Sequence, residues 1–476
     1  MLLSRPPWTV FARHASRAAG AAAYKSYATM TTPFNIHVEA KDAGLMGLKL
    51  GTEEAAKVTE LLQTDLEKHH VFFNAAGYHD HLTHHLLTLY GTGASARDLQ
   101  KAFDANKSYQ LKAMKPRQDL VQEMEKDWDS AKDSVGKGRQ YATFLNFFQN
   151  EIGRIGYKQV LLEYLFKDDE RGRDLQSRLF GGLLHPLIQL SYGLEWEQPA
   201  IIASAMAQIS VHSNGLYQYL TQCQSASASR PPDAAPVGSV CDFYTDITKN
   251  DKLMASARAE DTENPYYGIL CNALDDMVEL ASRVRVKPDE LDEKTAEMLH
   301  VSAYVCAAAA FHPPHVPKFD FFMIHQLTAA PFFLTLNKQS WIPTPTKVHL
   351  LESKIRMDML QYLARGCPRL RPESLFAYTP ADASQLVSKP EDLLPRIHAI
   401  VDDGHTVKVA RAMMLAQRVS QPYKDRPWIL VKDDDAWLSM LYLLVDANEC
   451  WDVKWVRGAG FEQAWQGIPK QENHRL

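Results

Sequence analysis

Apolar residues recur at helical spacing along almost the whole chain, and few stretches alternate between apolar and polar residues. Spacings of three and four residues put apolar side chains on one helix face, whereas a half-buried strand needs strict alternation. The sequence therefore predicts an all-α fold, a large, multi-helix, bundle-like body. The predicted helices cover 53–69, 75–90, 95–104, 117–131, 140–166, 173–193, 199–222, 265–284, 288–311, 346–365, 382–387, 390–402, 404–420, 433–447 and 460–465.

A segment rich in Ser, Ala and Pro interrupts this pattern at residues 222–239 and is predicted to be a flexible loop. With 476 residues, of which 46% are hydrophobic, the chain can form a core large enough to exclude water from an internal site. We predict a leader at 1–32 and one helical domain at 33–476, with a division near the loop as an alternative.

The leader differs from the body in charge, because three arginines and one lysine but no carboxylate precede Glu39. On a helix the arginines share one side, and Trp8 and Phe11 lie on the other. An Arg-rich, acid-free amphipathic segment is typical of a mitochondrial transit peptide. A disordered leader, or translation that starts at Met30, is the alternative.

Several classes of function lack their sequence signature. The formal net charge of −5 gives no electrostatic footprint for nucleic acid. No GxGxxG, GxxxxGK[ST] or GxSxG motif occurs, so we expect no tightly bound flavin. The longest apolar stretch, 303–311, is about half of what a membrane span needs.

Six of the eighteen histidines fall within residues 69–93. If this segment were helical, Tyr78, His81 and His84 would share one face, a polar wall for a substrate. His81 and His85 are spaced i, i+4, so the same segment could instead bind a metal. Histidines with ordinary structural hydrogen bonds are the third alternative.

The helix predicted at 346–365 is apolar nearly all round but carries charged side chains. Lys354 and Asp358 are spaced i, i+4, as are Glu352 and Arg356. Because buried charge is costly unless paired, internal ion pairs are one interpretation. In the other, Asp358 tunes a histidine base across a pocket.

Two further candidates lie in apolar segments. His325 lies in a strongly aromatic stretch, 315–333, which suits a flat substrate, although a lone histidine there is more often part of the core. Tyr192 lies in 179–212 and could donate a hydrogen bond to a substrate oxygen.

Six segments occur in an order that resembles the questin oxidase-like family of fungal proteins, and the resemblance spans roughly residues 35–468. The segments are YHDHLTHHLLTLYGTGAS, LHPLIQLSYGLEWEQPAIIASAMAQ, PKFDFFMIHQLT, LLESKIRMDMLQYLARG, DDGHTVKVARAM and GFEQAWQGIP. The resemblance implies a Baeyer–Villiger-type oxygenation that opens a ring of an anthraquinone-like aromatic polyketide in mycotoxin or related pathways. It also implies O₂ as co-substrate, a role for NADPH, no tightly bound metal and a cytoplasmic location, whereas the leader suggests mitochondria.

On this resemblance we expect His325 to act as the base, Asp358 as its partner and Tyr192 as a donor to the carbonyl or peroxide oxygen. The expected substrate-binding residues are Tyr78, His81, His84, Lys354, Arg356 and His405. Two alternatives stay open: a non-catalytic helical protein that binds an aromatic metabolite, and a metal-dependent helical oxygenase that uses the histidine-rich helix 78–85.

Overall fold

The computed structural model describes residues 30–74, 76–231, 238–261 and 264–471. The α-helices, numbered α1 to α22 in chain order, are Thr52–Lys68, Leu82–Gly91, Ala96–Asn106, Gln118–Lys126, Tyr141–Ile155, Tyr157–Val160, Glu170–Leu179, His185–Glu195, Pro199–Val211, Tyr217–Ala228, Val240–Thr248, Asp251–Ser256, Tyr267–Asn272, Leu274–Ala281, Leu291–Ala308, Met323–Ala329, Phe332–Asn337, Thr344–Ala364, Pro372–Phe376, Leu394–Ala399, His405–Ser420 and Asp434–Asn448. The described residues form isolated β-bridges but no strand, so the all-α prediction is confirmed.

The longest predicted helices are shorter in the structure because local backbone conformations interrupt them. The helix predicted at 140–166 breaks at Gly156, whose φ of 81° suits glycine and ends α5. The helix predicted at 173–193 breaks between α7 and α8, where Leu183 and Leu184 have φ values of 55° and 67°. Apolar periodicity continues across both breaks, so the pattern alone did not reveal them.

The predicted loop at 222–239 is wrong in its first part, because α10 runs to Ala228. Cys223 and Ser227, one turn apart, are buried on its inner face, and this packing stabilises the helix despite its Ser-rich composition. Arg230 then anchors the chain by donating to the Oγ of Ser282. Residues 232–237 lie outside the described part of the chain.

The predicted helix at 75–90 is also wrong at its start, because α2 begins at Leu82 and His81 is its N-cap. Gly77 has a φ of 77°, and the carboxylate of Asp80 accepts a hydrogen bond from the backbone N–H of Leu82. Tyr78 therefore does not share a helix face with the histidines, and its side chain is 53% exposed.

Four helices meet in the interior: α2 and α16 each pack against both α8 and α21. All ten residues from 185 to 194 of α8 are buried. No helix among the described residues is long and apolar enough to cross a bilayer. Most of the predicted leader, residues 1–29, lies outside the described residues, and the domain boundary at 32/33 stays a prediction.

Candidate functional site

The four converging helices each contribute histidine near the same point. His84 lies on α2, His185 begins α8, His325 lies on α16 and His405 begins α21. Gly404 precedes His405 with a φ of 91°, and a Cβ there would lie 2.5 Å from the ring of His85. A glycine at this position therefore lets α21 begin against α2.

We call this group the histidine cluster, and its members come from five separate parts of the sequence. They are His79, His81, His84, His185, His212, His325 and His405. Every member except His212 is buried, and His325 and His405 are inaccessible to solvent.

The rings approach one another through their Nε2 atoms. His81 and His185 lie 2.8 Å apart, Nε2 to Nε2, and His325 and His405 lie 3.2 Å apart in the same way. The ring centroids of His81 and His405 are 4.7 Å apart, and those of His185 and His325 are 4.9 Å apart. Four imidazoles thus surround one point. His79 extends the cluster by stacking on His185 at 4.1 Å.

A single carboxylate holds two of these four rings. Asp403 accepts from Nδ1 of His405 at 2.5 Å and from Nδ1 of His81 at 3.0 Å, each with a different oxygen. Burial would raise the pKa of Asp403, but His405 and His81 lower it well below its ordinary value. Asp403 is therefore an ionised hydrogen-bond acceptor.

The other two rings are held by backbone carbonyls. Nδ1 of His185 lies 2.6 Å from the carbonyl oxygen of Gly182, and Nδ1 of His325 lies 2.6 Å from that of Phe321. A carbonyl oxygen only accepts, so Nδ1 carries the proton in both rings, and a neutral ring then has its lone pair on Nε2. Asp403 likewise accepts from Nδ1 of His81 and of His405, so in its neutral form each of the four rings has its lone pair on Nε2.

Burial disfavours the charged form of three of these rings. It lowers the pKa of His81 to about 3 and lowers the pKa values of His185 and His325 well below the ordinary value. Neighbouring cationic groups add to the effect, among them Lys408 for His81 and His325. Two facing lone pairs at 2.8 or 3.2 Å repel each other unless something positive lies between them.

Lys408 lies one turn after His405 on α21 and is buried. Its Nζ atom has no hydrogen-bond partner among the described residues. Burial lowers the pKa of this lysine to about 8, although Asp403 and Asp402 raise it. A buried amine without a partner among the described residues is unusual in a protein interior and makes Lys408 a candidate site residue.

Tyr192 forms a wall beside the cluster, stacked on His84 with ring centroids 5.5 Å apart. Its hydroxyl lies 2.5 Å from Oγ1 of Thr88 and accepts from Arg411 at 3.3 Å. His84 donates from Nε2 to Gln189, which leaves its buried Nδ1 without a partner. The predicted neighbours His81, His84, Tyr192, His325 and His405 are thus brought together.

Asp358 is not the partner of His325 in this structure. Its carboxylate lies 2.6 Å from Nζ of Lys354 and 3.4 Å from Oγ of Ser302. The adjacent residue Gln326 donates to the backbone carbonyl of Asp358, and successive helix residues point about 100° apart. His325 therefore faces away from α18, and the carboxylate in the cluster is Asp403.

Lys354 and Arg356 also lie in the α18 network and not at the cluster. The guanidinium of Arg356 donates to the backbone carbonyls of Ala281 and Val284 and pairs with Glu352 at 3.2 Å. These contacts correspond to internal ion pairs, the structural interpretation of the same stripe of charges.

Sequence reasoning did not select His185, Asp403 or Lys408 as site residues. Asp403, His405 and Lys408 all lie in the segment DDGHTVKVARAM, so the i, i+3 spacing of histidine and lysine after an Asp-Gly turn was an available signal. His185 had no such signal, because its role depends on the break that starts α8.

The cluster could hold a metal ion. One ligand atom each from His81, Asp403 and His405 lie within 4.8 Å of one another. Imidazole nitrogens bind zinc, and similar ions, at about 2.0–2.1 Å, so two ligands at right angles lie about 2.9 Å apart. The observed separations between Nε2 atoms, 2.8 and 3.2 Å, bracket that value.

Comparison with known proteins agrees with this all-helical site. The family model described as questin oxidase-like matches residues 78–413, which include the whole histidine cluster. The oxidoreductase AflY of Aspergillus parasiticus is 35% identical over 93% of this chain and 90% of its own length. The questin oxidase of Aspergillus terreus is 30% identical over 94% of this chain and its full length. The Baeyer–Villiger oxidase AgnL3 of Paecilomyces divaricatus is 30% identical over 90% of this chain and 95% of its own length.

These matches cover most of the chain. It is an oxidoreductase, and it belongs to the questin oxidase-like family. The resemblance predicted from the six sequence segments is confirmed.

Proposed function

We propose that this chain is a flavin-independent oxygenase that performs a Baeyer–Villiger-type ring cleavage of an anthraquinone-like aromatic polyketide. The names of its relatives, questin oxidase and Baeyer–Villiger oxidase, support the reaction class. The histidine cluster is the proposed site of reaction with O₂. One oxygen atom of O₂ enters the ring beside a carbonyl, and the other leaves as water. This balance requires two electrons and two protons, which a hydride from NADPH and one proton from water supply, either directly or by first forming the hydroquinone of the substrate.

The observation that carries the proposal is the close approach of four buried imidazoles in two pairs, Nε2 to Nε2. It favours the metal-dependent alternative over the metal-free one. Metal-bound histidines almost always donate their other ring N–H to a carboxylate or a backbone carbonyl, and Asp403, Gly182 and Phe321 provide these acceptors. Imidazole ligands suit iron as well as zinc, copper and nickel, and iron is a common ion of oxygenases. When bound, iron would supply the activation of O₂.

The metal-free alternative uses the same residues as a proton relay. Asp403 would orient His405, and His405 would share a proton with His325, which deprotonates the phenol of the substrate. Burial lowers the pKa of His325 well below its ordinary value, so this ring holds a proton poorly. A weak base of this kind makes the relay the second candidate.

Tyr192 and Lys408 each have the same proposed role in the metal-dependent and in the metal-free mechanism. Tyr192 is proposed to donate to the carbonyl or peroxide oxygen of the reacting substrate. The guanidinium of Arg411, next to the Tyr192 hydroxyl, would stabilise negative charge on that substrate oxygen. Lys408 lacks a hydrogen-bond acceptor of its own, so it is free to donate to a negatively charged substrate oxygen.

The test is turnover of a reduced hydroxyanthraquinone by the purified full-length chain in air, with and without NADPH. We expect O₂ uptake and a product that has gained one oxygen atom. Elemental analysis of the same sample distinguishes the two versions, because the metal-dependent one predicts bound iron and loss of turnover after chelation. His300→Gln is the control, since His300 is a buried histidine whose ring nitrogens contact Ser420 and the backbone N–H of Leu430.

Binding of the hydroxyanthraquinone without turnover, with NADPH and iron both present, would support a non-catalytic carrier and contradict the proposal. Full turnover in a chelated, iron-free sample would instead select the proton relay.

A further inference from the structure

A second group of ligand-type side chains lies beside the histidine cluster but outside it. Asp65 lies in the last turn of α1, His69 follows that helix directly as its C-cap, and Asp80 lies just before α2. We infer that Asp65, His69 and Asp80 form a binding site for a divalent cation, separate from the one proposed at the histidine cluster. Asp65 and His69 precede the residues that match the family, 78–413, and the proposed reaction does not use this group.

The three side chains are close enough to share one ion. One ligand atom from each lies within 4.8 Å of the others. Nδ1 of His69 is 2.8 Å from Oδ1 of Asp65, and the Asp65 and Asp80 carboxyls hydrogen-bond to each other. The backbone N–H of His69 donates to the carbonyl oxygen of Asp65, which brings the two side chains together at the end of α1.

No lysine or arginine among the described residues forms an ion pair with Asp65 or Asp80, and the ionic partner of Asp65 is His69. By contrast, the buried carboxylate of Asp358 pairs with Lys354. The hydrogen bond between the Asp65 and Asp80 carboxyls requires a proton shared between them, because two ionised carboxylates repel each other. A divalent cation would take the place of that proton.

A small cavity adjoins the group and supplies an independent indication of a ligand. Its volume is about 30 Å³, enough for an ion or about two waters by the usual measure of ~10–15 Å³ for one water. Asp65, His69, His70, Asp80 and Gln208 all line it.

Two of the lining residues have buried polar atoms without partners among the described residues. They are Oε1 of Gln208, in a side chain 2% exposed, and Nε2 of His70, in a residue 3% exposed. Nδ1 of His70 accepts from the backbone N–H of Phe72, so Nε2 carries the proton. Gln208 can therefore ligate a cation through its oxygen, while His70 donates to a water bound to it.

The ligand set indicates the type of cation. Two carboxylates, one imidazole and an amide oxygen suit a first-row divalent ion such as Mn²⁺, whereas a soft ion prefers thiolates. The cavity also reaches Gln189, whose oxygen accepts from His84 of the histidine cluster. The two sites thus share one wall and can be tested in one experiment.

The experiment is titration of the EDTA-treated full-length chain with MnCl₂, with free Mn²⁺ measured by electron paramagnetic resonance. We compare wild type, Asp65→Asn/Asp80→Asn, His81→Ala/His405→Ala and a charge-matched control, Asp129→Asn/Asp133→Asn, which changes two exposed carboxylates. The inference predicts that the Asp65/Asp80 variant binds one Mn²⁺ fewer than wild type. The control should bind the wild-type number.

The inference is overturned if the Asp65/Asp80 variant, folded by circular dichroism, binds as many Mn²⁺ ions as wild type. If that double variant does not fold, the near-isosteric single change Asp80→Asn replaces it, with an expected loss of at least tenfold in affinity at one site. Loss of an ion only in the His81/His405 variant would support the proposed function and contradict this second site. Loss only in the Asp65/Asp80 variant would support the second site and count against a metal at the cluster.

Discussion

The histidine cluster and the charged stripe of α18 both bury polar side chains, but they satisfy them in opposite ways. On α18 two buried cations have partners of opposite sign one turn away, with Lys354 on Asp358 and Arg356 on Glu352. In the cluster, neutral rings face one another through lone pairs, as His81 faces His185.

This difference separates structure from function. The two charges of a buried ion pair compensate each other and need no further partner, so loss of the pair affects folding. Two lone pairs that face each other repel unless a proton, a metal or a substrate lies between them. The loss of one of these rings is therefore expected to affect the reaction. The predictions below test this contrast, starting from the largest effect.

The largest effect is expected from His405→Ala, which removes one of the four inward rings. We expect turnover to fall at least 1,000-fold, about 4 kcal/mol in activation free energy. The measurement is O₂ uptake per folded chain with the reduced hydroxyanthraquinone. Activity within fivefold of wild type would contradict a catalytic role for the cluster.

On α18 we expect a loss of stability without a loss of turnover. Asp358→Ala leaves the buried Lys354 unpaired and should lower the free energy of unfolding by about 3–5 kcal/mol. The double change Lys354→Met/Asp358→Leu should recover most of that loss, as urea denaturation will show. Turnover per folded chain should stay within threefold of wild type, and a 100-fold loss in the double variant would restore Asp358 as a catalytic residue.

Acid should destabilise the fold through buried neutral histidines, and His300 offers a test outside the cluster. Burial lowers its pKa from 6.5 to about 4, so between those pH values the unfolded chain binds the extra proton. The unfolding free energy therefore falls as pH falls, by up to about 1.4 kcal/mol per pH unit for one such histidine. His300→Gln should reduce this slope by up to one proton in urea denaturation at pH 4.5–6.5, while an unchanged slope would contradict the assignment.

A smaller effect is expected from Asp403→Asn, which keeps the shape but removes the charge that holds His81 and His405. We expect iron affinity or turnover to fall about 10–100-fold, the usual cost of losing a partner of a metal-bound histidine. Asp402→Asn, one residue earlier, is not a matched control. The Asp402 carboxylate accepts hydrogen bonds from the backbone N–H groups of Gly404 and Thr406 at the start of α21. Wild-type values in Asp403→Asn would show that Asp403 does not orient the cluster.

The smallest effect is expected from Tyr192→Phe, which removes the hydroxyl next to Thr88 and Arg411. One lost hydrogen bond to a charged group is worth about 1.5–3 kcal/mol, so turnover should fall about 10–100-fold at most. Tyr78→Phe, at a mostly exposed residue, should change turnover less than twofold. A larger loss in Tyr78→Phe than in Tyr192→Phe would reverse this assignment.

Helical periodicity was sufficient to predict the fold class and the longest buried helix, α18, to within two residues of each end. It did not predict the breaks at Gly156 and at Leu183, where backbone conformation changes without a change in apolar spacing. The same limitation placed Tyr78 on a helix that begins only at Leu82.

At the site, sequence and resemblance selected His325, His405 and His81, which do meet. The sequence did not show that the carboxylate beside the histidines is Asp403 and not Asp358. On a helix that is buried all round, tertiary packing decides which way a charged side chain faces. The stripe of charges on α18 fitted internal ion pairs and a catalytic carboxylate equally well.

Iron analysis by X-ray absorption tests the central claim most directly, namely that the four inward Nε2 atoms converge on a metal. The sample is the Asp80→Asn chain, in which the second proposed cation site is removed. The account predicts about one iron per chain with imidazole nitrogens at about 2.0–2.2 Å. It also predicts loss of that iron in His325→Ala/His405→Ala. Full turnover without iron, or iron that persists with unchanged ligands in the histidine double variant, would contradict the account.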